Sequence, residues 1–320
     1  MTYLDAGRAA LAEEMQRDPL VWAVGEDLGR GGVFGQYAGL AEQFGPDRIA
    51  DAPISEAAIL GAAVGAAMMG TRPVVEMRFS DFALCAMDEL VNQAAKARFM
   101  FGGQARVPLV VREPIGMWRS SAAQHSQSLE SWYAHIPGLV VVCPATPADN
   151  KGLLKAAIRC DDPVVFMEHK NLWQMEGEVP DDPDLLVPLG QVRMVREGTD
   201  ITIVSWSNQV HVAAEAAATL AAETISVDLI DLRSLWPWDS ARVLASVQKT
   251  GRLLITHEAV QVGGFGAEIA ATIAEHATLR SPIRRLGAPR APIAYAPPAE
   301  MAIRVTAAMI HDTVRQMVST

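Results

Sequence analysis

Clusters of the kind that hold metals are missing from this sequence. Its three cysteines, Cys85, Cys143 and Cys160, show no CxxC spacing, which leaves them as small buried residues of a reducing compartment. His135, His169, His211, His257, His276 and His311 lie scattered, and none has an HxxxH or HExxH partner. No GxSxG elbow accompanies the serines, so a hydrolase triad has no support. Basic charge is also short: 27 Lys and Arg stand against 37 Asp and Glu, a formal net charge of −10, which argues against nucleic-acid binding. The longest apolar run of small residues, Ala57 to Gly70, is too short to span a bilayer, so no membrane segment is expected. Its Gly61, Gly65 and Gly70 are expected to mark close helix packing. The opening residues Met1-Thr-Tyr-Leu-Asp-Ala-Gly-Arg8 hold charge and no apolar run, so no secretory leader is expected and the chain reads as cytoplasmic.

What is present describes a large α/β protein. The 320 residues are 50% hydrophobic and 20% charged, enough for two buried cores. Apolar runs at 20–24, 73–77, 107–111, 139–143 and 163–167 read as strands, and so do 201–205, 225–230 and 253–256. Helices are expected at 57–69, 149–158, 210–222, 240–247 and 266–275. Met87, Leu90, Val91 and Ala94 recur at the spacing of an amphipathic α-helix. This alternation implies two mainly parallel-sheet α/β domains. The polar, proline-bearing stretch Glu176 to Asp184 is the best connector between them.

Two side chains stand out. Glu56, in Asp51-Ala-Pro-Ile-Ser-Glu56, falls in the first turn of a helix that Ser55 is suited to cap. A carboxylate there serves equally as a simple charge on the helix dipole or as a working acid. His125, in Ala122-Ala-Gln-His-Ser-Gln127, lies in a polar loop between two strands. It reads either as a staple of its own loop or as a group meeting substrate at a sheet edge. The glycine loops Gly29–Gly35 and Val262–Gly266 follow neither GxGxxG nor Walker A spacing and are weak phosphate signals.

Taken in order, Gly25-Glu-Asp27, Gly31-Gly-Val-Phe34, Pro53-Ile-Ser-Glu56, Arg72-Pro-Val-Val-Glu76, Asn92-Gln-Ala-Ala-Lys96, Ala122-Ala-Gln-His-Ser-Gln127, His135-Ile-Pro-Gly-Leu139, Asp231-Leu-Arg-Ser-Leu-Trp-Pro-Trp-Asp239 and Gly263-Gly-Phe-Gly-Ala-Glu-Ile269 are similar to a known family. They resemble the β subunit of the E1 component of 2-oxo acid dehydrogenase complexes, across nearly the whole chain. The resemblance implies a transketolase-like pyrimidine-binding domain at 1–180, a linker at 181–195 and a transketolase-like C-terminal domain at 196–320.

It further implies thiamine diphosphate with Mg²⁺ as cofactors, the metal and diphosphate being held by an α subunit. The magnesium motif of that partner, GDG followed by a distant Asn, has no counterpart in this chain. By resemblance, Glu56 hydrogen-bonds N1′ of the aminopyrimidine, Ile54 lines its pocket, and Phe82 packs on the ring unless it is an ordinary core residue. His125 by resemblance faces the substrate and helps acyl transfer to a lipoyl group. Some members carry a potassium ion on main-chain carbonyls, and the matching positions are Leu109, Ala157, Ile158, Cys160 and Asp162. Cys160 replaces a common Asp there, and Met117-Trp-Arg119 replaces a loop that is often glycine-rich. The implied partners are an E1 α subunit in an α₂β₂ heterotetramer, a lipoylated E2 acyltransferase and a small 2-oxo acid or acetoin. The implied activity is that of an oxidoreductase with a lipoyl acceptor, working only with its α subunit. Other readings are half of a split transketolase-like or synthase enzyme, or a non-catalytic assembly subunit.

Overall fold

The computed structural model describes residues 1–319, which divide into two compact units. Unit 1 takes Met1–Ile115 and Trp132–Leu189, and unit 2 takes Gly116–Ser131 and the chain from Gly190 onward. The loop carrying His125 therefore groups with unit 2, although it interrupts the sequence of unit 1.

Unit 1 runs α1 (Tyr3–Arg17), β1 (Val21–Gly25), α2 (Leu40–Phe44), β2 (Ile49–Asp51), α3 (Glu56–Met68), β3 (Arg72–Glu76), α4 (Ser80–Ala83), α5 (Ala95–Met100), β4 (Val110–Ile115), α6 (Glu130–Ala134), β5 (Val140–Val142), α7 (Pro147–Arg159) and β6 (Val164–His169). Its strands lie in the order β5-β6-β4-β3-β1-β2 and pair in parallel throughout. Every residue of β4 and β6 is buried, which is why these strands read as unbroken apolar runs rather than alternating ones. Thr2 caps α1 by accepting from Asp5 N, and Thr146 caps α7 by accepting from Asp149 N with Pro147 at the first position. Leu11 and Met15 of α1 join Leu153, Leu154 and Ile158 of α7 and Phe166 of β6 in one core.

Unit 2 runs β7 (Arg193–Arg196), β8 (Ile201–Ser205), α8 (Gln209–Ala222), β9 (Val227–Asp231), β10 (Ser234–Trp236), α9 (Ser240–Thr250), β11 (Leu253–Val260), α10 (Gly266–His276), β12 (Arg284–Ala288), α11 (Pro297–Ile303) and α12 (Ala307–Val318). Its sheet has the order β12-β11-β8-β9-β7, parallel except where the edge strand β7 meets β9. Ile203, Ala217, Leu229, Ile310 and Val314 close its core.

Several expectations need correction. Residues 88–94 form a π-helix rather than an α-helix, so Leu90 and Ala94 turn inward over a wider coil. The strand expected at 107–111 begins at Val110, because Pro108 has no N–H to give a ladder. Ser55 occupies the N-cap of α3 but its hydroxyl donates to Pro53 O at 3.0 Å instead of capping. Gly65 and Gly70 have open space where a side chain would stand, so they are not packing contacts. Cys85 is exposed, not buried. The helices α1, α11 and α12 escaped the reading altogether. Among the described residues, no helix is long and apolar enough to cross a membrane.

Candidate active site

In unit 1 the chain leaves β1 toward β2 and leaves β3 toward β4, in opposite directions across the sheet. Neighbouring parallel strands whose connections diverge open a crevice at their carboxyl ends. β1 and β3 approach closely there: a Cβ on Gly25 would lie 2.9 Å from Glu76 O. Glu26 follows β1 directly and is buried. Arg78, just past β3, reaches it at 3.4 Å and reaches Asp27 at 3.5 Å.

Glu56 opens α3 after the turn that follows β2, and it is half-buried. Its charge is felt at Glu26. Burial first and the Glu56 carboxylate second push the Glu26 carboxyl above its ordinary range, while Arg78 pulls it back. Ile54, two residues before Glu56, is 75% exposed, an unusual exposure for isoleucine beside a carboxylate.

Phe82 belongs to an aromatic group rather than to a plain aliphatic core. Its ring meets Phe79 edge-on at 5.4 Å, Phe79 meets Phe34 at 5.8 Å, and Phe34 lies 4.5 Å from Trp173. Lys170 Nζ stands 4.7 Å above the Phe79 ring. Phe34 comes from the first glycine loop, where Gly31 has φ of +97° and a Cβ would fall 3.1 Å from Ala38 Cα. That loop delivers an aromatic ring. The second glycine loop makes room for an imidazole: side chains at Gly264 or Gly266 would strike His257 within 3.0 Å. His257 is stacked 5.0 Å from Trp206, and burial lowers its pKa to about 4, keeping it neutral.

Beneath the crevice lie buried polar groups that sequence reading missed. Arg112 pairs with Glu168 at 2.7 Å, and Tyr37 donates its hydroxyl proton to Glu76 at 2.9 Å. Burial raises Glu76 to about 8 against the pull of Arg112. Glu113 is completely buried, receives the Ser80 hydroxyl at 2.7 Å, and is also pushed up to about 8 by burial. For Glu26 a signal existed, an acid directly after an apolar strand. Glu76 ends β3 and Glu113 sits inside β4, but nothing local told them from surface acids.

His125 is half-buried in the unit 2 segment 116–131, and its amide turns back to Ala122 O at 3.4 Å. The five carbonyl positions matched to potassium are already engaged in part. Arg72 Nη1 donates to both Ile158 O and Cys160 O at 3.0 Å, and Nη2 pairs with Asp161 at 2.7 Å. Leu109 O takes Val164 N and Ala157 O takes Cys160 N. A cation seated on these oxygens would share them with a guanidinium, so the donor set as arranged does not fit an added ion. Among the described residues no group of three His, Cys, Asp or Glu side chains is placed to hold a metal. Glu56 and Ile54 share one turn, a half-exposed carboxylate beside an exposed aliphatic side chain, and Phe82 adds a partly open aromatic ring elsewhere in the same unit; these are the side-chain types that hold a flat heterocycle with polar edges.

Residues 1–175 match the transketolase pyrimidine binding domain, and residues 190–310 match the transketolase C-terminal domain. The 2-oxoisovalerate dehydrogenase subunit beta of Bacillus subtilis (strain 168) is 43% identical over 322 residues, covering 99% of this chain and 98% of that protein. An acetoin:2,6-dichlorophenolindophenol oxidoreductase subunit beta of Cupriavidus necator is 45% identical over 320 residues, covering 96% and 94%. The pyruvate dehydrogenase E1 component subunit beta of Rhizobium meliloti (strain 1021) is 42% identical, covering 98% and 69%. Of solved structures, a split gene transketolase described as an inactive beta4 tetramer superposes with a TM-score of 0.83 at 23% identity, covering 100% of this chain and 98% of that one. That last likeness is one of fold. The chain belongs to the family of E1 β subunits of 2-oxo acid and acetoin dehydrogenases, built from transketolase pyrimidine-binding and C-terminal domains.

Proposed function

We propose that this chain supplies the pyrimidine-binding half of a thiamine diphosphate site and acts as the β subunit of a cytoplasmic E1 enzyme on a 2-oxo acid or acetoin. The observation that carries the reading is Glu56, a half-exposed carboxylate at the first turn of α3 with buried Glu26 beside it. Thiamine diphosphate, when bound, supplies the electron sink for cleaving the bond next to the substrate carbonyl.

The residues of this chain do the rest. Glu56 holds a proton against N1′ of the ring and so tunes the basicity of the cofactor's amino group. Ile54 and Phe82 flank the heterocycle and keep water from it. His125 donates a hydrogen bond to the substrate oxygen on which charge develops, and orients the acyl group for transfer to a lipoyl arm. Mg²⁺ and the diphosphate fall to the α subunit of an α₂β₂ assembly, and a lipoylated E2 receives the product. Potassium is not part of this reading, because Arg72 already answers the Ile158 and Cys160 carbonyls.

Relatives that act on 2-oxoisovalerate, pyruvate and acetoin support a dehydrogenase over a split transketolase half or an inert scaffold. The test mixes the chain with its α partner, thiamine diphosphate, Mg²⁺ and 2,6-dichlorophenolindophenol, and offers pyruvate, 2-oxoisovalerate and acetoin in turn. Dye reduction with one of them is expected. Ketol transfer between sugar phosphates with no dye reduction would favour the transketolase half.

A further inference from the structure

We infer that Glu300 of α11 and Arg304 just past its C-terminus, together with Glu258 of β11, are positioning residues that set the working geometry of His125. The inference rests on the reading of His125 given above. It starts from a loop whose backbone is strained. Within 116–131, Gly116 N donates to Gln127 O at 3.4 Å, His125 N to Ala122 O at 3.4 Å and Ser121 N to Trp118 O at 3.0 Å, and Ser121 Oγ also donates to Trp118 O at 2.6 Å. Three residues that are not glycine, Arg119, Ser120 and Ala122, stand at φ of 48°, 57° and 64°. A left-handed conformation is strained for each of these residues. Such a stretch keeps one conformation only if neighbours impose it.

Unit 2 imposes it at both ends. Both main-chain polar groups of Met117 are gripped, because Glu258 Oε1 accepts its N–H at 2.6 Å and Arg304 Nη2 donates to its carbonyl at 2.8 Å. The same Nη2 pairs with Glu300 Oε1 at 2.6 Å, and Glu300 Oε2 accepts the amide of strained Ser120 at 3.0 Å. The Glu300 side chain is 6% exposed, so these charge-assisted bonds act with little competition from water. On the far side of the loop, Trp206 Nε1 donates to Glu130 at 3.0 Å and the Phe265 amide to Ser131 Oγ at 2.9 Å. His125 stands midway between the two sets of anchors. A slip of the Met117–Ser120 anchor is passed along a short strained segment to the imidazole, and a misplacement of about 1 Å can cost on the order of 100-fold in rate.

The experiment uses the assembled heteromer with whichever of pyruvate, 2-oxoisovalerate and acetoin it turns over fastest, reading dye reduction and reductive acylation of a free lipoyl domain separately. Arg304→Lys keeps the charge, but its side chain is one bond shorter, so the ammonium falls short of the place from which Nη2 serves Met117 O and Glu300 Oε1 together. We expect it to fold, to bind thiamine diphosphate within about twofold of wild type, and to acylate the lipoyl domain about 10- to 100-fold more slowly. Glu300→Gln, which still offers Ser120 an acceptor, should fall between Glu300→Ala and wild type. The double variant Arg304→Lys with His125→Ala should be no slower than His125→Ala alone, since both changes remove one function. A folded Arg304→Lys enzyme with wild-type transfer, or losses that multiply in the double variant, would overturn the positioning role. Wild-type transfer by His125→Ala would instead overturn the reading of His125, and the inference with it.

Discussion

Glu26 and Glu56 of unit 1 are electrostatically coupled carboxylates: burial raises the Glu26 pKa most, and the charge on Glu56 raises it further. Two acids in such a relation resist being negative together, and the proton this favours sits on Glu26, the buried partner. Arg78, at 3.4 Å from Glu26, limits the effect and anchors the rear carboxylate.

In the proposed role, replacing Glu56 with Gln keeps the size and removes the proton that the carboxyl would share with N1′. Because Glu56 is half-exposed at a helix start, the fold should survive, with Tm unchanged within about 2 °C for a sub-kcal/mol effect. Turnover of the assembled heteromer should drop by about 10²- to 10⁴-fold, the range of a lost general acid–base contact. Turnover within threefold of wild type would remove Glu56 from the chemistry.

Glu113 makes stability depend on pH. Its folded pKa of about 8 stands above the ordinary 4.5, so the fold favours the neutral acid. That contribution is whole below about pH 4.5 and is lost as pH rises through 8, at up to about 1.4 kcal/mol per pH unit. Glu113→Gln stays neutral and still accepts from Ser80. Thermal melts from pH 5 to 9 should show wild type losing stability faster than the variant; parallel curves would contradict the assignment.

Arg72 ties three points of one turn together, the carbonyls of Ile158 and Cys160 and the carboxylate of Asp161. Its side chain is 22% exposed, so solvent recovers part of what a deletion removes. Arg72→Met should lower stability by about 1–2 kcal/mol, seen as a Tm lower by several degrees. An unchanged Tm would mean that these bonds are replaced by water at no cost.

Much of the scaffold was legible because parallel strands buried on both faces must be apolar throughout: 201–205 and 163–167 announced themselves within a residue or two. Glu56 was legible through Pro53, which breaks the chain just before the helix that Glu56 opens. The His125 loop was legible as a polar interval between strands, but its grouping with unit 2 was not. Its anchors Glu300 and Arg304 touch main-chain atoms 180 and 187 residues away, and a contact to a peptide group leaves no mark on the residue type at the other end. Helix α1 was missed because its buried face is built largely of Ala6, Gly7 and Ala10 beside Tyr3, Leu4 and Leu11, which gives a faint apolar period. Glu113 was invisible for a related reason, since a buried acid and a surface acid are the same letter.

The composite nature of the site is tested most directly by titrating thiamine diphosphate with Mg²⁺ into this chain alone and into its mixture with the α subunit, following heat or tryptophan fluorescence. A site in which this chain offers only the pyrimidine half requires weak or no saturable binding alone and saturable binding after mixing, lost when the α subunit's diphosphate-binding residues are replaced. Equally tight, magnesium-dependent binding by this chain alone would contradict it.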